Sequence, residues 1–124
     1  MTVKVPINMQ DTSAGIGYQT GDGGVVTQLT SKSTAVTLNK NTGQITMHNA
    51  ALSNGATVAF TLNNSVLETG DLLVVNSSYA SGNYEANVRR VSTGSAVIAV
   101  TNVALTSLTD AVTLIFAVIK GKTS

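Results

Sequence analysis

The chain has 124 residues, no cysteine and a formal net charge of +1. That length suits one domain with a real hydrophobic core. The lack of cysteine excludes disulfides and thiolate metal sites, and the small net charge excludes a whole-chain field that would attract nucleic acid or anionic lipid. Charged residues make up only 10% of the chain, against about 25% in typical domains. A weakly charged surface favours association, so the composition predicts an interface-rich assembly component.

The first 24 residues differ from the rest of the chain. They contain the only proline, Pro6, and five glycines, and they show little sustained periodicity. We therefore expect an extended glycine-containing N-terminal arm over residues 1–24 and a β-sandwich domain over residues 25–124. Alternate apolar residues of the arm would line one side of an extended strand. The residues predicted to contact a sister subunit or another assembly partner are Val3, Val5, Ile7, Met9, Ile16 and Tyr18.

From residue 25 onward, short β-branched runs alternate with turn signals, and several runs alternate apolar and polar residues with period two. The predicted strands are Val25–Thr30, Ala35–Asn39, Gly43–His48, Thr57–Asn63, Asp71–Ser77, Asn83–Ser92, Ala96–Asn102 and Ala111–Lys120. This pattern predicts an all-β fold, a single β-sandwich or jelly roll of about eight strands. The most apolar run, residues 111–119, is too short for a transmembrane helix.

The turn signals and the alternation give more local predictions. Asn41-Thr42-Gly43 is expected to join a hairpin, with Gly43 at positive φ. Similar turns are predicted at residues 54–55, 68–71, 81–83 and 92–94, and one short helical turn at Asn49–Ser53. The predicted core consists of Ile45, Val58, Phe60, Leu62, Val74, Val88, Val97, Leu114 and Phe116.

Few residues suggest chemistry. His48 is the only histidine, and it alternates with Ile45 and Met47, so a surface position is favoured over a general base or metal ligand. The acids Glu68 and Asp71 flank a glycine, where a turn is favoured over a calcium site. We predict no catalytic residues, no metal site and no cofactor.

Two further pairs of residues leave alternatives open. Arg89 and Arg90 form the only cationic doublet, and on a strand they should point to opposite faces, one of them pairing with an acid such as Glu85. Tyr79 and Tyr84 flank a turn, where they form either a cross-strand aromatic pair or a contact patch at a loop tip.

The run from Gly15 to Met47, GIGYQTGDGGVVTQLTSKSTAVTLNKNTGQITM, resembles a family of small structural proteins from tailed-phage and prophage virions. The similarity continues through residues 50–52 and 58–63 to residues 111–121. It implies a non-enzymatic capsid decoration, or cement, protein that binds major capsid protein subunits on the capsid exterior after synthesis in the bacterial cytoplasm. The alternative is a tail- or fibre-associated module that binds a receptor or a carbohydrate. Neither nucleic acid nor membrane is an expected partner.

The last predicted strand, Ala111–Lys120, is apolar on both faces. Because a sandwich strand normally shows one face to water, something should cover the second face. We expect a homo-oligomer, with a trimer favoured, and the N-terminal arm of the same subunit is the other candidate cover.

Overall fold

The computed structural model describes residues 17–121, so all the predicted arm contacts except Tyr18 lie outside the described residues. The described chain is all β and forms a sandwich of two packed four-stranded sheets, which confirms the predicted fold class. Each predicted strand overlaps an observed one. The strands are β1 (Gly23–Thr27), β2 (Val36–Thr37), β3 (Thr42–Thr46), β4 (Thr57–Asn63), β5 (Leu72–Ser77), β6 (Tyr84–Ser92), β7 (Ser95–Asn102) and β8 (Thr113–Ile119).

The first sheet has the strand order β1-β3-β8-β5 and the second has the order β2-β4-β7-β6. Each sheet contains one parallel pair, β1 with β3 and β2 with β4, and its remaining neighbours are antiparallel. The edge strands β5 and β6 lie next to each other along one side of the sandwich.

The two ends of the sandwich differ in the loops that they carry. At one end, called here the Lys32 end, β1, β3, β5 and β7 finish and β4, β6 and β8 begin. The long connections 28–35, 47–56, 78–83 and 103–112 leave from this end. At the opposite end, called the Lys120 end, the chain enters β1 and leaves β8.

The core lies between the sheets, and five predicted core residues are buried in it: Ile45, Phe60, Leu62, Leu114 and Phe116. Val58 and Val88 are half-buried against this core. The prediction is wrong for Val74, which is exposed, and for Val97, which is half-buried on the outward face of β7. Both valines lie in uninterrupted apolar runs, where residue type cannot show which face is inside.

The predicted hairpin at residues 41–43 is also wrong. Leu38 donates its backbone N–H to the Asn63 carbonyl in the second sheet, whereas β3 belongs to the first sheet, so the chain crosses between sheets here. Gly43 does not have positive φ. Its role is close packing, because a Cβ at this position would lie 2.6 Å from a Leu38 methyl and 2.9 Å from the Gly24 carbonyl oxygen. The glycines of the other four predicted turns do have positive φ: Gly55, Gly70, Gly82 and Gly94.

The helical turn predicted at Asn49–Ser53 is absent from the described structure, where this segment is extended. Leu52 forms an isolated antiparallel bridge with Leu108, and their N–H groups and carbonyls exchange two hydrogen bonds of 2.8 and 3.1 Å. A buried leucine and a partner strand segment therefore override the weak helical preference of this stretch. No helix in residues 17–121 is long and apolar enough to cross a membrane.

Candidate functional site

An apolar stripe lies on the outward face of β5 and β8. It consists of Leu72, Val74, Ile115, Ala117 and Ile119. The four larger side chains keep between 45% and 59% of their surface exposed. Leu72 lies directly opposite Ile119, and Val74 directly opposite Ala117. Such a contiguous exposed patch is typical of an interaction surface, whereas isolated exposed apolar residues need no explanation.

The exposed residues on the outward face of the second sheet are polar by contrast. The hydroxyl groups of Thr57 and Thr101 are 2.7 Å apart across β4 and β7, and Glu85 lies beside Thr101 on β6. The first sheet is therefore the better candidate for association through a sheet face. The second sheet has the composition of a surface that faces water.

Arg89 and Arg90 are both exposed, which contradicts their predicted placement on opposite faces. The register between β6 and β7 shifts between Val88 and Arg90, so that Arg89 is the extra residue of a β-bulge. A bulge breaks the strict alternation of side chains. Within residues 17–121, neither arginine forms a salt bridge with Glu85.

Tyr18 lies at the Lys120 end beside the stripe. Its hydroxyl donates a hydrogen bond to the carbonyl of Val118, the residue before Ile119. The following residues form a tight turn, in which the Asp22 N–H donates to the Gln19 carbonyl at 3.1 Å. Residue 17, the first described residue, therefore lies next to one end of the apolar stripe.

The Lys120 end is held by a buried carboxylate. Asp71 accepts hydrogen bonds from the Lys120 ammonium at 2.6 Å, from the Glu68 N–H at 2.9 Å and from the Gly121 N–H at 3.2 Å. Burial acts to raise the pKa of Asp71, but these donors together hold that pKa below its usual value. The Asp71 carboxylate therefore holds together the turn that was predicted at residues 68–71. A Cβ on Gly121 would collide with the Gly70 carbonyl, so glycine is needed for residue 121 to lie this close to the turn.

A buried lysine organises the opposite end. The Lys32 ammonium donates to the carbonyls of His48 and Asp110, the latter at 2.6 Å. Gln28 adds three bonds: its amide donates to the carbonyls of Lys32 and Thr34, and its oxygen accepts from the His48 N–H. Burial lowers the pKa of Lys32, and the negative charge of Asp110 partly opposes that shift.

Asp110 also joins Tyr79, in the β5–β6 connection, to Tyr84, the first residue of β6. The Tyr79 and Tyr84 hydroxyls donate to its carboxylate at 3.1 and 2.9 Å, and the two rings meet edge to face at 6.0 Å. Burial and the Asp110 hydrogen bond raise the pKa of Tyr84 to about 12. Tyr79 lies outside the strands, so the predicted cross-strand pair spans a loop instead. Tyr84 is buried, which contradicts its alternative placement in an exposed contact patch.

His48 is half-buried, and its Nδ1 accepts a hydrogen bond from the Ala50 N–H at 3.0 Å. In the described part of the chain, no three histidine, aspartate or glutamate side chains come together as metal ligands. Two clefts, of about 570 and 380 Å³, follow the seam between β5 and β6. Their titratable lining residues are spread along that seam: Asp71, Tyr84, Glu85, Arg89 and Arg90.

Comparison with protein-family models, curated proteins and solved structures found no significant match to this chain. The surfaces and clusters described above are therefore the basis for interpreting its function.

Sequence reasoning missed most of the polar residues that organise the two ends. Gln28, Lys32, Asn64 and Asn102 are all buried, and Asn102 donates to the Leu52 and Thr106 carbonyls at 2.8 and 2.9 Å. No local pattern distinguishes these residues from solvated loop residues. The apolar stripe, by contrast, had a visible signal in the last strand, which is apolar at both sets of alternating positions.

Proposed function

We propose that this chain is a non-enzymatic structural protein of a tailed-phage virion, which acts as a homo-oligomer and binds major capsid protein subunits. The observation that carries the proposal is the exposed apolar stripe on one sheet of a charge-poor sandwich, opposite a polar second sheet. The resemblance of residues 15–47 to virion structural proteins is the reason for proposing the capsid as the partner. A trimer is favoured, with no cofactor, nucleic acid or membrane involved.

The energy available from the stripe supports a multi-copy arrangement. Covering the exposed half of a leucine, isoleucine or valine side chain is worth about 1 kcal/mol. The four larger stripe residues therefore contribute about 4 kcal/mol per contact, and the free energy lost on association, about 4 kcal/mol or more, offsets this gain. One such contact is weak, but several contacts in a closed oligomer act together and give far tighter overall binding.

The contacts of the candidate reactive groups support a structural role. The Asp71 carboxylate accepts hydrogen bonds from Lys120 and two backbone N–H groups, and the Asp110 carboxylate accepts one from each of two tyrosine hydroxyls. Nδ1 of His48 is occupied by a backbone N–H of its own turn. Each of these groups stabilises a loop at an end of the sandwich.

A sedimentation experiment with purified phage heads that lack the protein tests the proposal. We expect the full chain to co-sediment with heads in a saturable manner. Ile115→Gln, which places an amide in the stripe, should weaken binding at least tenfold because every copy in the oligomer is affected. Leu105→Gln is the matched control, since Leu105 is exposed in a loop outside the stripe, and it should bind as the parent does. Binding only to tails or to a host polysaccharide would favour the alternative module instead.

A further inference from the structure

We propose that the apolar stripe binds the N-terminal arm of a second copy, so that neighbouring subunits exchange arms. In this arrangement residues 1–10 of one chain lie extended across β5 and β8 of the next chain. The inference rests on the proposed homo-oligomer and names the segment that covers its exposed sheet face.

The dimensions of the stripe suit one extended segment. It is two strands wide and runs from Ile115 to Ile119, about 14 Å at roughly 3.4 Å per residue. The arm offers Val3, Val5, Ile7 and Met9 at alternate positions, which an extended chain presents on one side. The row from Val3 to Met9 spans about 20 Å, enough to cover the whole stripe.

The first described residues also lie in the right place for this arrangement. The Tyr18 hydroxyl is bonded to the Val118 carbonyl, so residue 17 starts next to the end of the stripe. Sixteen residues precede it in the sequence, and extended they reach about 50 Å. This reach is several times the length of the stripe and carries the apolar row to an adjacent subunit.

The area of the stripe favours an exchanged arm over a plain face-to-face contact. The stripe amounts to roughly a few hundred Å², whereas stable protein interfaces bury about 800 Å² per partner. When each subunit both receives an arm and gives one, every subunit buries two surfaces, its stripe and its arm, whereas a face-to-face contact buries the stripe alone. Exchange of an identical element between subunits is a low-cost route to association.

Docking onto a second copy links subunits together, which docking onto the arm's own sheet does not do. Fixing about ten residues costs free energy of the same size as the burial of four apolar side chains returns. A single arm folded onto its own subunit therefore gains little. In a closed ring, each docked arm holds the next subunit in place, and the contacts support one another.

The absence of cysteine allows a direct test by disulfide cross-linking of the full chain. The double variant Val5→Cys/Ile115→Cys, and the same design with Ile7→Cys, would be oxidised at micromolar concentration and run on non-reducing gels. We expect covalent dimers and larger species, at least tenfold above the yield from each single variant. Val5→Cys/Leu105→Cys is the matched control, because Leu105 lies in the β7–β8 loop at the Lys32 end, and it should remain uncross-linked.

The other outcomes overturn the inference. A disulfide confined within one chain means that the arm covers its own sheet, and cross-linking of Ile115→Cys alone means that two stripes meet face to face. If neither arm position cross-links to the stripe, the arm binds elsewhere. Head binding is measured separately, so a chain that decorates heads without arm exchange refutes the inference and leaves the proposed function standing.

Discussion

The buried carboxylate of Asp71 gives the sharpest stability prediction. Asp71→Asn keeps the size of the side chain but removes the charge that the Lys120 ammonium contacts at 2.6 Å. The substitution also replaces one carboxylate oxygen with an NH₂ group, which cannot accept a hydrogen bond. The carboxylate accepts from three donors: the Lys120 ammonium and the backbone N–H groups of Glu68 and Gly121. Breaking a fully buried ion pair costs about 3–5 kcal/mol. Since the Lys120 side chain is 46% exposed, water screens the pair, and we expect a loss of about 2 kcal/mol at pH 7.

The pH dependence identifies the cause of that loss. The pKa of Asp71 is lower in the folded chain than in the unfolded chain. Its stabilisation is therefore present above about pH 4 and is lost as pH falls through the folded pKa. Urea denaturation should show the parent and Asp71→Asn far apart at pH 7 and progressively closer together as the pH falls below about 4.

The neighbouring acid provides the control for this prediction. Glu68 is exposed and lies 3.6 Å from the same ammonium, so Glu68→Gln should change stability by less than about 0.5 kcal/mol. A difference between the parent and Asp71→Asn that stays constant from pH 7 to pH 3, or an equal loss in Glu68→Gln, would show that the charge of Asp71 does not stabilise the Lys120 end.

Three further substitutions test the core, the sheet crossing and the tyrosine cluster. Phe60→Ala should lower the free energy of unfolding by about 3–5 kcal/mol, and a loss below about 1 kcal/mol in urea denaturation would contradict its core position. Gly43→Ala forces a methyl group against Leu38 and a backbone oxygen, so we expect the free energy of unfolding to fall by about 1–3 kcal/mol. Gly17 has open space around it, so Gly17→Ala should leave stability unchanged. Tyr84 keeps its proton to about pH 12 when folded but to about pH 10 when unfolded. Its stabilisation should therefore disappear between pH 10 and pH 12, and Tyr84→Phe should show a shallower alkaline loss of stability; an unchanged slope would count against the Asp110 contact.

The strands could be predicted from the sequence because their signals are local. Thr57–Asn63 alternates cleanly and is bounded by turns, and its predicted limits match β4. The runs Leu72–Val75 and Ala96–Val100 are apolar at every position, so the sequence shows that they are strands without showing which face is inside. The misplaced Val74 and Val97 follow from that ambiguity.

The pairing of strands and the polar clusters depend on contacts between distant residues. The parallel pairing of β1 with β3 requires a crossing between sheets, which glycine at residue 43 permits by close approach. Lys32 stands in a serine-rich loop and looks like a solvated residue. It becomes buried only because the carbonyls of residues 48 and 110 converge on its ammonium. The residues next to Lys32 in the sequence do not indicate that these two carbonyls come together around its ammonium.

Electron cryomicroscopy of phage heads incubated with the full chain tests the proposed function most directly. We expect ordered, sandwich-sized density on the capsid exterior, repeated at equivalent positions among major capsid protein subunits and shared by several copies of the chain. Heads that show no added density, or particles with density confined to the tail or its fibres, would contradict the decoration role.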